Sequence, residues 1–230
     1  MKKIYIVHGW AYNTDKWQQI MKYLRDEKNI ESVMLHVPGL TAPSQNVWNL
    51  DKYVEWLHGE IVKASSPVVL VGHSNGGRIS MAFAIKYPKL VRQLILIDSA
   101  GVYHNEPKLR LKKAVFGNAA KLGKKLTKSA KLRKLLYRSA RAHDYEQAPP
   151  NMQQTMVNLS NDDKGLVPKN ITVPTQLIWG AQDKLTPLGD GKLLAAKIAG
   201  AQLHVIEDAR HAPFYPHPNQ VGDIIDEVLK

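Results

Sequence analysis

The sequence predicts an α/β fold: a mostly parallel, doubly wound sheet of about six strands, with an inserted helical segment. Three observations predict it. Short, continuously apolar runs alternate with amphipathic helical patterns along most of the chain. One of those runs, Val68-Val69-Leu70-Val71, passes directly into Gly72-His73-Ser74-Asn75-Gly76 and then a helical pattern. A single internal stretch breaks the alternation and carries nearly all of the excess charge.

The elements follow in order. Lys3-Ile4-Tyr5-Ile6-Val7 reads as the first strand. Thr14 is placed to cap a helix whose Trp17, Ile20, Met21 and Leu24 share one face. Ser32-Val33-Met34-Leu35-His36-Val37 reads as the second strand, stopped by Pro38-Gly39. A helix carrying Val47, Leu50, Val54, Leu57 and Ile61 follows. The third strand is the apolar run before Gly72, and the helix after it stops near Tyr87-Pro88. Leu94-Ile95-Leu96-Ile97 is the fourth. The rhythm resumes with a strand through Leu177-Ile178-Trp179-Gly180 and a helix around residues 192–199. A strand over residues 202–206 follows, then a helix carrying Val221, Ile224, Ile225, Val228 and Leu229. Trp17, Trp48 and Trp56 sit at helical-face spacing and read as core.

A chain of 230 residues allows one domain with an insertion. The expected division is a core of residues 1–101 and 171–230, with a basic helical cap over residues 102–170. No stretch approaches the roughly 18–20 apolar residues that cross a bilayer. The apolar run after Lys2-Lys3 breaks at His8-Gly9 without a small-residue cleavage site, unlike a signal peptide. The absence of cysteine excludes disulfides, thiolate metal sites and cysteine nucleophiles, and fits a cytoplasmic location.

The net charge is +12, yet residues 104–146 hold 13 Lys and Arg against 3 Asp and Glu. The rest of the chain is close to neutral, so the charge is a local surface feature. Val115, Ala119, Leu122 and Leu126 give this stretch a helical apolar stripe with lysines opposite. Aromatics in and beside it, Tyr103, Phe116 and Tyr137 among them, are sparse and do not interleave with the lysines as base-stacking residues would, so no specific nucleic acid is expected. Three readings fit the charge: a solvated helix face that serves solubility alone, a surface that draws an anionic substrate to the site, or peripheral contact with an anionic membrane.

The G-x-S-x-G stretch carries the chemistry. A strand turning abruptly into a helix with Ser74 at the tip is a nucleophile elbow. The turn forces the serine into a strained backbone conformation, and Gly72 and Gly76 admit close backbone approach. A serine hydroxyl needs a base, and the base needs an orienting acid. Asp183 follows the Leu177–Gly180 run, and His211 follows the next strand, so both loops reach the sheet edge that bears Ser74. Asp98, ending the fourth strand, is the other candidate acid. The expected oxyanion donors are the backbone N–H groups of Asn75 and of Trp10, after the first strand. His73 and His8 read as bracing residues, and His204 and His217 as structural ones.

Together His8-Gly9-Trp10, Gly72-His73-Ser74-Asn75-Gly76-Gly77, Leu177-Ile178-Trp179-Gly180 with Asp183, and His211 resemble the α/β-hydrolase superfamily. Leu94-Ile95-Leu96-Ile97-Asp98-Ser99-Ala100-Gly101 is similar to the strand that precedes the family's cap insertion. The resemblance implies a serine hydrolase acting on a small-molecule ester or thioester, without metal or organic cofactor. Carbon–carbon bond hydrolases and non-catalytic binding proteins are the alternatives. Relatives with Asp at the elbow, the haloalkane dehalogenases and epoxide hydrolases, differ from this chain at Ser74. The first strand begins at the very start of the chain, so the resemblance implies a sheet shortened at its amino-terminal end.

Overall fold

Strands that are apolar on both faces need helices on both sides, and the alternation within each strand sorts residues between two cores. A computed structural model describes residues 2–64, 67–104 and 148–230. The strands are β1 (Lys2–Val7), β2 (Ile30–Leu35), β3 (Val68–His73), β4 (Val91–Ile97), β5 (Thr175–Gly180) and β6 (Gln202–Ile206). They form one sheet in the order β2-β1-β3-β4-β5-β6, and every pairing is parallel. The helices among the described residues are α1 (Gln18–Lys28), α2 (Leu50–Ile61), α3 (Asn75–Lys86), α4 (Pro150–Asp162), α5 (Leu188–Lys197) and α6 (Pro218–Val228).

The period of two is visible in the cores. Ile4, Ile6, Val69, Val71, Ile95, Ile97 and Ile178 pack with Ile20 and Leu24 of α1 and Val221 and Ile225 of α6. Their neighbours Val7, Val68, Leu70, Leu94, Leu96, Leu177 and Trp179 pack on the other face with α2 and α3. Met152 and Leu159 of α4 and the following Leu166 belong to this second core. The Thr155 hydroxyl accepts the Trp48 N–H at 2.9 Å, and the Asp162 carboxylate accepts the Leu50 N–H at 2.9 Å. These bonds fasten α4 to the loop before α2.

Several boundaries differ from the sequence reading. The second strand covers Ile30–Leu35, two residues earlier than expected. It is an edge strand whose four middle residues are only half-buried, so the apolar pattern does not mark its ends. Thr14 precedes a short 3-10 turn, Asp15–Trp17, and its side chain caps nothing; α1 starts only at Gln18. Val47 lies outside α2 and is 36% exposed. The side chain that caps α2 is Asn49, accepting the Lys52 N–H at 2.9 Å. The helix expected around residues 192–199 is α5, beginning at Leu188. The basic stripe expected at Val115–Leu126 and beyond lies outside the described residues, as does most of the expected cap.

The chain runs β1 to β2, then returns across β1 to β3. That reversal opens a crevice beyond the carboxyl ends of β1 and β3, where open α/β sheets bind ligands. The loops after β1, β3, β4, β5 and β6 all leave from this edge.

Candidate active site

Ser74 occupies the junction between β3 and α3 with φ 52° and ψ −118°. A non-glycine residue in this region stores roughly 1–3 kcal/mol of strain, and the surrounding bonds hold it there. Its N–H donates to the Ile97 carbonyl at 3.1 Å, and its carbonyl accepts the Ala100 N–H at 2.9 Å. A Cβ on Gly76 would overlap the Val7 carbonyl, and one on Gly72 would meet the Ser80 hydroxyl and the Gly77 backbone. Both elbow glycines are therefore fixed by close approach: α3 starts hard against the end of β1.

The loops after β5 and β6 are laced together before they reach the serine. The Ala181 N–H donates to the Ile206 carbonyl at 3.0 Å and the Gln182 N–H to the Ala209 carbonyl at 2.9 Å. This places Asp183 beside His211. The His211 Nδ1 lies 2.7 Å from Asp183 Oδ2, and its Nε2 lies 2.9 Å from Ser74 Oγ. The structure thus brings Ser74, His211 and Asp183 into one hydrogen-bonded line.

Asp183 is buried, and its carboxylate is well supplied with donors. Oδ1 accepts the N–H groups of Leu185 (2.7 Å) and Thr186 (3.2 Å), and Oδ2 accepts the Thr186 hydroxyl at 2.6 Å. Burial pushes this carboxyl up, but the bonds from His211 and Thr186 outweigh burial, and the net direction is down. Asp183 is therefore an anion whose charge faces the imidazole.

Asp98 behaves differently. It is fully buried; Oδ1 accepts the Gly180 N–H at 2.9 Å, and Oδ2 has no hydrogen-bond partner among the described residues. Burial pushes its carboxyl up to about 8, against the opposing Gly180 bond. A carboxyl that holds its proton at neutral pH cannot stabilise an imidazolium, and it is Asp183 that meets the His211 ring.

His73 packs behind His211, with ring centroids 5.0 Å apart, and against the edges of Trp17 and Phe214. Burial, reinforced by the neighbouring His211, pushes its imidazole well below the ordinary histidine value. A neutral ring there does not oppose a positive charge on His211. His8 is also buried; its Nδ1 lies 2.8 Å from the Gly9 carbonyl and its Nε2 2.7 Å from the Thr41 hydroxyl. That bracing shapes the turn carrying Trp10. His204 pairs with Gln176 at 2.8 Å, away from the site.

His73, Asp98 and His211 each offer a ligand atom within 4.8 Å of the others. Both ring nitrogens of His211 are already engaged by Ser74 and Asp183, so a metal would have to displace those bonds.

Ser74 and His211 open onto a cleft of ≈ 770 Å³. Trp10, Trp17, Leu185, Phe214 and Tyr215 line it, together with the exposed Lys16, Asp208 and Arg210. Trp17 and Phe214 stack with centroids 3.7 Å apart, so Trp17 is both core and wall of the cleft. Sequence reasoning missed Thr186, Phe214 and the Arg78–Asp163 pair beneath Asn75 (Nε to Oδ1, 2.7 Å).

The chain is similar along its length to known proteins. The human monoacylglycerol lipase ABHD6 is 26% identical over 254 residues, covering 98% of this chain and 74% of that protein. The pimeloyl-[acyl-carrier protein] methyl ester esterase of Neisseria meningitidis is 25% identical over 248 residues, covering 100% and 78%. Among solved structures, a putative lipase from Acinetobacter baumannii superimposes with a TM-score of 0.71 at 20% identity, covering 100% and 85%. A meta-cleavage product hydrolase from Pseudomonas fluorescens gives 0.68 at 19%, covering 100% and 90%. These two share the fold. A family model described as the alpha/beta hydrolase fold matches residues 2–218, and the chain belongs to that family.

Proposed function

We propose that the protein is a serine hydrolase that cleaves a carboxylic ester, or a thioester, of a small-molecule substrate through an acyl-enzyme on Ser74. The observation that carries this reading is the line from Asp183 through His211 to Ser74, at 2.7 and 2.9 Å. The ester-cleaving activities named for the human and Neisseria relatives support it.

The steps follow from the positions. Ser74 Oγ attacks the carbonyl carbon while His211 Nε2 takes its proton. Asp183 holds the Nδ1–H tautomer and stabilises the imidazolium. The carbonyl oxygen becomes an oxyanion, met by the backbone N–H groups of Asn75 and Trp10. Collapse breaks the bond to the leaving alcohol or thiol, which departs with the proton from His211. His211 then deprotonates a water that attacks the acyl carbon, releasing the acid and restoring Ser74.

Residues 102–170 are proposed as the cap over this edge. Its expected preference for anionic substrates and its membrane contact rest on the basic composition of residues 104–146, outside the described residues. No helix among the described residues is long and apolar enough to cross a membrane.

Fluorophosphonate labelling tests the reading. The native protein should label and should hydrolyse p-nitrophenyl acyl esters, and Ser74→Ala should abolish both. A native protein that neither labels nor turns over a panel of acyl chain lengths would instead be a binding protein on the same fold.

A further inference from the structure

One buried ion pair lies outside the line just described, a single helical turn past the serine. The side chains of Arg78 and Asp163 are 12% and 11% exposed. Arg78 Nε donates to Asp163 Oδ1 at 2.7 Å and Nη2 to Oδ2 at 3.0 Å, a two-pronged grip. The remaining branch, Nη1, donates to Asn75 Oδ1 at 2.7 Å. Asn75 is 4% exposed, and its Nδ2 makes no hydrogen bond among the described residues. The bond from Arg78 therefore sets the orientation of this side chain.

The connection matters because of what Asn75 carries. It is the first residue of α3 and follows Ser74 directly. The first N–H groups of a helix have no partner within it, and that of Asn75 is a proposed oxyanion donor. The guanidinium is planar and rigid, so fixing two of its nitrogens on Asp163 fixes where the third points. Asp163 caps the end of α4, on the segment that rejoins the sheet after the inserted stretch.

We infer that Arg78 is a positioning residue: Asp163 orients its guanidinium, the guanidinium holds the Asn75 side chain, and the Asn75 N–H is thereby aimed at the developing oxyanion. The inference rests on Ser74 being the nucleophile. It makes the segment after the insertion part of the oxyanion machinery, through a chain of three hydrogen bonds. A pair that merely fastened α4 to α3 would affect stability alone. A positioning pair affects the transition state, since an oxyanion donor acts only on charge that appears there.

The test compares Asn75→Ala, Arg78→Lys and Asp163→Asn with the native protein. The readouts are kcat and KM for p-nitrophenyl butyrate, the inhibition constant of phenylboronic acid, which forms a tetrahedral adduct on a nucleophilic serine, and Tm. Asn75→Ala leaves the ion pair intact, so its Tm should stay close to native. Arg78→Lys keeps the charge but cannot grip both partners. In both, kcat should fall about 10–100-fold with KM within about 3-fold, and boronate affinity should fall in parallel. Asp163→Asn should do the same with a lower Tm. Native kcat and boronate affinity in Asn75→Ala and Arg78→Lys would overturn the inference, even if Asp163→Asn fails to fold. Failure of the native protein to label with fluorophosphonate would remove the nucleophile itself, and the inference with it.

Discussion

The Thr186 hydroxyl lies 2.6 Å from Asp183 Oδ2 and 3.2 Å from His211 Nδ1, touching both partners of the acid–imidazole bond. It carries one proton, and the shortest contact assigns that proton to the carboxylate. The Trp179 indole N–H donates to the Thr186 carbonyl at 2.8 Å and ties this loop to β5. A hydrogen bond to a buried charge is worth about 1.5–3 kcal/mol, so Thr186→Val should lower kcat roughly 10- to 100-fold. Thr186→Ser keeps the donor and should retain most of the activity. Steady-state kinetics on a p-nitrophenyl ester decides it; equal rates for the valine and serine variants would remove Thr186 from the machinery.

The two buried acids should separate cleanly by mutation. Asp183→Asn preserves shape but removes the charge that fixes the His211 tautomer. In other Ser-His-Asp enzymes that change costs about 10⁴ in kcat, and a loss of this order is expected here. Asp98→Asn keeps an oxygen for the Gly180 N–H and replaces a carboxyl that is already protonated at neutral pH. It should leave kcat within a few-fold. The reverse ranking at pH 7 would make Asp98 the working acid.

What the sequence made legible divides along a physical line. β3 was readable because Val68, Val69, Leu70 and Val71 are all buried between two helical layers, leaving no polar face to confuse the pattern. Ser74, Asp183 and His211 lie close together because each follows a strand, and a parallel sheet sends all those loops to one edge, even from β6, an edge strand buried only at Ile206. β2 departs from its expected bounds because an edge strand tolerates Glu31 at a half-buried position, while Val37 is buried beyond the strand's end. α4 leaves little pattern in the sequence: it buries only Met152, Thr155 and Leu159, in a run rich in Asn and Gln. Thr186 looks like any loop threonine until its partners are in place. Arg78 meets an acid 85 positions away, and no local pattern records that.

Gly76 tests the elbow's geometry apart from its chemistry. An added Cβ would overlap the Val7 carbonyl and crowd that of His8. Both are backbone atoms at the end of a central strand, so neither can step aside as a flexible side chain would. Relieving the clash means moving α3 off β1. We expect Gly76→Ala to cost several kcal/mol, roughly the upper end of overpacking changes at 1–3 kcal/mol or beyond. Soluble yield and Tm report it. A variant with native Tm would mean that α3 sits further from β1 than described.

Asp98 gives the fold a pH dependence of unusual sign for an aspartate. Its folded-state pKa is about 8, against an ordinary value of 3.8. Between these values the folded protein holds a proton that the unfolded chain has released. Stability attributable to Asp98 is therefore full below about pH 4, falls as pH rises by up to about 1.4 kcal/mol per unit, and levels off above about pH 8. Asp183, with its depressed carboxyl, works the other way: its contribution is present above the ordinary aspartate value and is lost only in acid. His8 and His73, both pushed down by burial, likewise cost stability only on the acid side. Comparing Asp98→Asn with the native protein cancels these shared groups. The variant should gain stability relative to native, and the gain should grow from pH 5 to pH 8 and then hold constant. Urea unfolding at pH 5, 6.5, 8 and 9 measures it; a difference independent of pH would show that Asp98 is ionised in the folded state throughout that range.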